Sequence, residues 1–438
     1  MNTQQNAASA ADTAVRGGAF YRLVWKWHFL ASLYVLPFML ILSVTGALYL
    51  YKPQIEAWIY ADRLTVDVSG DAQTLEDQVA ALEAHSGVTR LRGIMVYDDP
   101  ARTTRVEFND TDHVRSYAWI NPYTTEILAV TPRDATLMRM LKKFHGELLL
   151  GGFGTKFVEL SAHWAIVMMV TGIVLWWPRG KRNLREATRL PSGTGRKWWR
   201  EAHMFTGMLA FVLITPILLT GLPWTDVWGG GLSYVQTQTG QKSQSLRFGG
   251  NAPKSSASEG ETIAWAQVID MAQGQGIVAP FELRPPRRDN DAFWLRSASV
   301  NRYEQTEIIV DRYSGEQLAR VDFADNPVVA KAVSLGISLH QGELFGSLNL
   351  ALNTLAAALG VFLSVSGFVI WWKRRPVGTL GVPAAPEARL GTGMAITVVV
   401  LMILLPLMGL SLIVALILDW LFFRRLGWFQ GARPAAAE

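Results

Sequence analysis

Long apolar runs alternate with long mixed segments along this chain. In the first run, residues 25–51, positions 29–50 carry no charge over 22 residues. At 1.5 Å rise per residue a helix of that length covers about 33 Å, against a hydrocarbon core of roughly 30 Å. Comparable runs follow at residues 157–177, 204–224, 347–372 and 391–423, and Pro406 sits inside the last as a helix breaker. Five transmembrane helices are expected.

The mixed segments have another period. In the first, Leu75, Val79 and Leu82 mark a helix over 72–85, and short alternating runs predict strands over 91–97, 104–108, 116–120 and 127–130. The second repeats that order, with a helix over 262–271 and strands over 281–284, 292–298, 305–310 and 317–321. Residues 240–260, rich in Ser, Gly and Lys, read as a flexible insertion, and the polar, Ala-rich residues 1–18 as an unordered tail. The first apolar run is longer than a signal-peptide core and no small-residue cleavage site follows it, so it is expected to stay as an anchor.

The chain also repeats itself. Thr45 and Gly46 follow His28 by 17 and 18 residues, and Thr220 and Gly221 follow His203 at the same distances. His145 precedes the Trp176–Trp177 doublet by 31 residues, and His340 precedes Trp371–Trp372 by 31. The sequence therefore reads as two copies of span, mixed segment, histidine and span. The expected fold is a mainly α-helical membrane bundle of about five spans with two α+β domains. Its segments are a tail (1–24), a first helix (25–51), a first α+β domain (52–144), a histidine segment with the second helix (145–177), a basic loop (178–199), a third helix (200–224), a second α+β domain (225–335), a histidine segment with the fourth helix (336–372), a loop (373–390), a fifth helix (391–423) and a tail (424–438).

Composition agrees with a membrane protein: half the residues are hydrophobic, and 17 are Trp, which concentrates where lipid meets water. The net charge is only +5, with basic residues gathered in short loops beside spans, so it points to topology and not to nucleic acid. Residues 178–200 carry eight Lys or Arg against one acid, Glu186, and residues 373–389 carry four more. By the positive-inside rule these loops and the N-terminus are cytoplasmic and the mixed segments lie outside; Arg424 and Arg425 run against the rule. With no Cys, disulfides, thiolate zinc sites, Cys-ligated iron–sulfur clusters and covalent haem attachment are excluded. No phosphate-binding loop, dinucleotide fingerprint, nucleophile elbow or H-E-x-x-H occurs.

Two turns carry a resemblance. N-P-Y-T-T-E at 121–126 and D-R-Y-S-G-E at 311–316 resemble the D-P-Y-T-G-E hairpin of PepSY domains, with Thr125 in place of Gly and Arg312 in place of Pro. The spans, with T-G near one end and WWPR or WWKRRP at the other, resemble the PepSY-associated transmembrane family over nearly the whole chain.

Five histidines, His28, His145, His163, His203 and His340, lie in or beside spans, where ionisable side chains are costly. His28 and His203 both begin outward-going helices, so they can face each other near the cytoplasmic surface. Bis-imidazole ligation of haem b uses such neutral donors on facing helices and needs no Cys. His145 and His340 precede inward-going spans and can grip a second haem near the outer surface, about 27 Å away. His163 has no counterpart in the other copy and is an alternative outer ligand. Arg22, Lys26, Lys197 and Arg200 suit haem propionates or act as topological anchors. Glu147 and Glu343, in G-E-L motifs, orient an imidazole, contact substrate or sit at the interface. Met138, Met140, Met168, Met169 and Met204 read as packing. A zinc or copper site needs a denser ligand cluster.

The resemblance implies a bacterial inner-membrane reductase in which electrons cross from haem to haem and reduce a periplasmic ferric siderophore, releasing Fe(II) for uptake. The electron donor is then a quinol or a soluble reductase. Trp119, Tyr123, Trp294 and Tyr313 are candidate contacts to the siderophore or core residues. Two other readings stay open: a cytochrome b-type carrier serving another periplasmic acceptor, and a non-enzymatic, membrane-anchored binding or inhibitor protein.

Overall fold

A computed structural model describes residues 2–179, 183–246, 253–255, 261–377 and 391–421. In chain order the helices and strands are α1 (Asn2–Leu50), α2 (Lys52–Ile59), α3 (Ala61–Leu64), α4 (Leu75–Ser86), β1 (Arg90–Val96), β2 (Thr104–Asn109), β3 (Arg115–Ile120), β4 (Ile127–Pro132), α5 (Leu137–Glu147), α6 (Gly152–Trp176), α7 (Leu184–Ala187), α8 (Gly195–Gly221), α9 (Val227–Gln238), α10 (Trp265–Gly274), β5 (Phe281–Arg284), β6 (Phe293–Ser297), β7 (Thr306–Val310), β8 (Gln317–Asp322), α11 (Val328–His340), α12 (Gly346–Arg374), α13 (Thr392–Leu404) and α14 (Pro406–Leu418). They form two compact units: the described parts of residues 1–46, 145–232 and 354–438, and of 47–144 and 233–353.

The first unit is helical. Among the described residues four helical stretches are long and apolar enough to cross a membrane: 20–50, 152–176, 195–224 and 346–374. The chain is a membrane protein. Ala210 is fully buried and, with Met169, Ile214, Ala356 and Leu363, forms a core in which small residues let helix backbones approach. The tail expected to be unordered continues α1 back to Asn2, in keeping with the high helix propensity of its alanines.

The expected fifth span is not one helix. Leu405 leaves helical geometry at φ −127° and ψ 73°, giving two helices of 13 residues, each about 20 Å long and too short to cross alone. Pro406 causes the break, because it lacks the N–H that would continue the ladder. The interrupted backbone is met by side chains: the Trp228 indole donates to the Leu404 carbonyl at 3.1 Å, and the Trp164 indole to the Ser411 hydroxyl at 3.0 Å. Leu405 and Met408 are buried against Ile166, Val167 and Leu222. Arg424, Arg425, most of residues 373–390 and much of 240–260 lie outside the described residues.

The second unit corrects the expectation of two separate α+β domains. All eight strands share one antiparallel sheet in the order β4-β3-β2-β1-β5-β6-β7-β8. The two copies meet where β1 pairs with β5, Ile94 opposite Leu283 and Val96 opposite Phe281. Two unpaired edges disappear in that pairing, and open edges are a liability. Helices α4 and α10 cover the inward-pointing apolar residues; Leu75 and Trp265 touch both halves of this core, and the Trp265 amide donates to Glu76 at 2.6 Å.

Both hairpins close as their sequences predict. Asn121 and Asp311 accept the Tyr123 and Tyr313 amides at 2.9 Å, and each tyrosine hydroxyl reaches back to a loop carbonyl, of Pro100 at 2.8 Å and of Asp289 at 3.1 Å. Those hydrogen bonds give Tyr123 and Tyr313 a structural role. Trp119 and Trp294 are buried in the sheet.

Candidate functional site

Three histidines of the helical unit share one local arrangement. His28 of α1 places Nδ1 3.0 Å from the Thr171 hydroxyl of α6. His145 of α5 places Nδ1 2.9 Å from the Thr45 hydroxyl of α1. His203 of α8 places Nδ1 2.8 Å from the Ser366 hydroxyl of α12. Each hydroxyl is followed by glycine, and each glycine lies under the ring. A Cβ built on Gly172, Gly46 or Gly367 would stand 3.4, 3.2 or 3.6 Å from the Cε1 of His28, His145 or His203. The contact at Gly46 is tighter than ordinary packing, so a side chain there would crowd the His145 ring; those at Gly172 and Gly367 are ordinary van der Waals contact.

These contacts fix where the rings are. His28 sits at one end of the apolar part of α1, while Thr45 and Gly46, which hold His145, sit at the other. Along the helix that is about 27 Å. The Cβ position of Gly367 that faces His203 also meets Leu36 of α1 at 3.8 Å.

The corners that deliver the other two histidines differ. After α5 the chain reverses through Leu148 and Leu149, both at positive φ, and Gly151. Gly154 then packs so closely on the Glu147 carbonyl that a Cβ would overlap it. His340 ends α11 in the second unit. There Asn353 donates to the carbonyls of Leu339 at 2.7 Å and His340 at 3.1 Å, and Asn349 to Leu339 at 3.2 Å. Side-chain amides thus cap a helix end that would otherwise leave its carbonyls unpaired. Nearby, Arg302 reaches Glu343 at 3.1 Å; burial lifts the Glu343 carboxyl above its ordinary range, with Arg302 pulling the other way.

His163 stands apart. It is fully buried within α6 with neither ring nitrogen hydrogen-bonded, and Nε2 lies 3.8 Å from the equally buried Glu159. Glu159 accepts the Val227 amide at 2.9 Å and the Trp228 amide at 2.8 Å, one on each oxygen. Its task is to cap α9. Sequence reading missed both α9, whose V-W-G-G-G start carries no helical signal, and Glu159, although an acid inside an apolar run was itself the signal. It also noted Thr45–Gly46 without their role, and not Thr171–Gly172 or Ser366–Gly367.

The donor set is neutral imidazole nitrogen, which an iron porphyrin takes as an axial ligand. Among the described residues no three His, Cys, Asp or Glu converge. Imidazoles on separate helices, each with a glycine beside the ring, are a donor arrangement that axial ligation in a bundle can use. Of the cations considered for propionates, Lys197 faces Glu201 at 3.9 Å, whereas Arg22, Lys26 and Arg200 form no ion pair among the described residues.

The family model of the PepSY-associated TM region matches residues 25–374. No curated protein matches the chain.

Proposed function

The chain belongs to the PepSY-associated TM family, and from that premise we propose that it is a haem b-containing reductase of the bacterial inner membrane that delivers electrons to a periplasmic ferric siderophore. His28 and His203 would hold one haem, and His145 and His340 the other. When bound, haem supplies a one-electron Fe(III)/Fe(II) couple tuned by its axial ligands and surroundings. The substrate iron leaves as Fe(II), which hard oxygen chelators hold less well than Fe(III).

The protein's own part is positional. Helix α1 carries His28 at one end and the Thr45–Gly46 seat of His145 at the other, so one rigid element spaces the two sites. The apolar core around Ala210 and Leu363 excludes water between helices. Arg22, Lys26 and Arg200 offer positive charge at the His28 end, the side proposed to be cytoplasmic. A quinol or a soluble reductase supplies the electrons. The observation that carries this reading is the seating of three histidines on hydroxyl–glycine pairs, two of them at opposite ends of one span.

The test is optical. Purified full-length protein should show a Soret band and, after dithionite, an α-band of low-spin b haem, with two haems per chain. The reduced protein should be reoxidised anaerobically by ferric siderophore, with Fe(II) trapped by a ferrous chelator. A folded, colourless preparation would favour the binding or inhibitor reading; haem without reoxidation by ferric siderophore would favour an electron carrier for another acceptor.

A further inference from the structure

We infer that Thr171, Thr45 and Ser366 are positioning residues that select the tautomer of His28, His145 and His203, placing the hydrogen on Nδ1 and leaving Nε2 with the lone pair that binds a metal. The redox consequence rests on the haem reading; the tautomer does not.

A threonine or serine hydroxyl has one hydrogen to give. Thr171 Oγ1 lies 2.8 Å from the Val167 carbonyl and 3.1 Å from that of Met168. Thr45 Oγ1 lies 2.8 Å from the Ile41 carbonyl, and Ser366 Oγ 3.2 Å from the Leu363 carbonyl. Carbonyl oxygens only accept, so in each case the hydroxyl hydrogen is directed to the hydroxyl's own helix, a habit of Ser and Thr within helices. The hydroxyl oxygen can then meet a ring nitrogen only as an acceptor. Nδ1 must donate, and a neutral imidazole with hydrogen on Nδ1 has none on Nε2. Free histidine favours the opposite tautomer, with hydrogen on Nε2. The protein therefore reverses that preference at three places by the same device. Thr220, with its hydroxyl 2.7 Å from the Pro216 carbonyl, and Gly221 stand at the corresponding place in the second copy.

A glycine lies beside each ring: at Gly46, the tightest of the three positions, a Cβ would crowd His145, whereas at Gly172 and at Gly367, the loosest, it would make ordinary contact. A hydrogen bond donated by Nδ1 makes Nε2 the stronger donor to a metal and orients the ring. A stronger donor favours ferric iron, so loss of the hydroxyl should raise the reduction potential of the haem concerned.

The experiment uses the full-length chain with ¹⁵N-labelled histidine, prepared both without and with haem. In haem-free protein, NMR should show His28, His145 and His203 with a protonated Nδ1 and an unprotonated Nε2. Thr171→Val, nearly isosteric, should return His28 towards the Nε2–H form; in the haem-loaded variant one midpoint potential should shift upward, and Thr171→Ser should restore it. Ser366→Ala, which adds no bulk, gives the same readout for His203 should Thr171→Val fail to fold. Wild-type histidines carrying hydrogen on Nε2, or hydroxyl variants that leave nitrogen shifts and potentials unchanged, would overturn the inference. Protein that takes up no haem yet shows the Nδ1–H tautomer would defeat the reductase reading alone.

Discussion

Ile94 of β1 stands opposite Leu283 of β5, and through that pair the two copies of the mixed segment share one sheet. Both side chains are fully buried, each in the core of its own half. Leu283→Ala should therefore loosen the junction as well as its own half, at a cost of about 2–5 kcal/mol, the usual range for a buried Leu truncation. Thermal unfolding of the full-length protein, followed by tryptophan fluorescence, should fall by several degrees. An unchanged transition would mean that the junction contributes nothing to the unit's stability.

The two hairpin turns predict opposite responses to the same kind of change. Thr125 has φ 57° and Gly315 φ 74°, a region that costs an L-residue roughly 1–2 kcal/mol and that a β-branched one adopts worst. Thr125→Gly should accordingly stabilise by up to about 1 kcal/mol, despite the extra freedom glycine gives the unfolded chain. Gly315→Ala should destabilise by a similar amount or more, since its Cβ would also meet Ile263 Cδ1 at 3.3 Å. Paired melting curves of these variants check both signs.

Much of this architecture was legible in the sequence because the two periods are strong. The expected strand over 281–284 matches β5 to the residue, and the others fall within one or two positions of β1–β4 and β6–β8. Joining the copies was not legible, because nothing local tells an edge strand such as β1 that its partner lies nearly two hundred residues away. The break at Leu405 was foreshadowed by Pro406, but its stabilisation by Trp228 depends on a helix the sequence did not advertise. For the site, the histidines and two of the Thr–Gly pairs stood out through their repeated spacing. Their mutual geometry did not, since Thr45 meets a histidine 100 residues later and Thr171 one 143 residues earlier.

Gly154 tests how His145 is delivered. Its Cβ position overlaps the Glu147 carbonyl, which is backbone and cannot swing aside. Gly154→Ala must open the corner between α5 and α6 and move His145 off Thr45 and Gly46. Overpacking of this kind costs typically 1–3 kcal/mol. The expected result is a folded protein of lower melting temperature in which the ¹⁵N shifts of His145 change while those of His28 stay. Unchanged His145 shifts would show that the corner does not place the ring.

Glu159 makes a separate prediction about stability. Its two oxygens take two backbone amides in a fully buried setting, and a glutamine offers only one acceptor there. Glu159→Gln should leave one of the Val227 and Trp228 amides unsatisfied, at about 1–3 kcal/mol. Hydrogen exchange of those two amides, read by mass spectrometry of the peptide that contains them, should accelerate. Exchange as slow as in the parent would mean that α9 is held by its packing alone.

The last prediction separates the two ends of α1. If His28 and His203 serve one haem and His145 and His340 another, then removing an imidazole at one end should cost that haem and spare the second. His28→Ala and His203→Ala should each lower the haem-to-protein ratio from about two to about one and leave the same residual spectrum; His145→Ala and His340→Ala should leave the complementary one. The separation of about 27 Å along α1 makes this independence a strong expectation, because no single porphyrin reaches between residues so far apart. His163→Ala should leave the ratio at about two, since His163 faces Glu159 and none of the hydroxyl–glycine seats described for His28, His145 and His203. A ratio that falls in His163→Ala and holds in His145→Ala would transfer the ligand role to His163, and loss of all haem from every single variant would leave no ground for two separate sites.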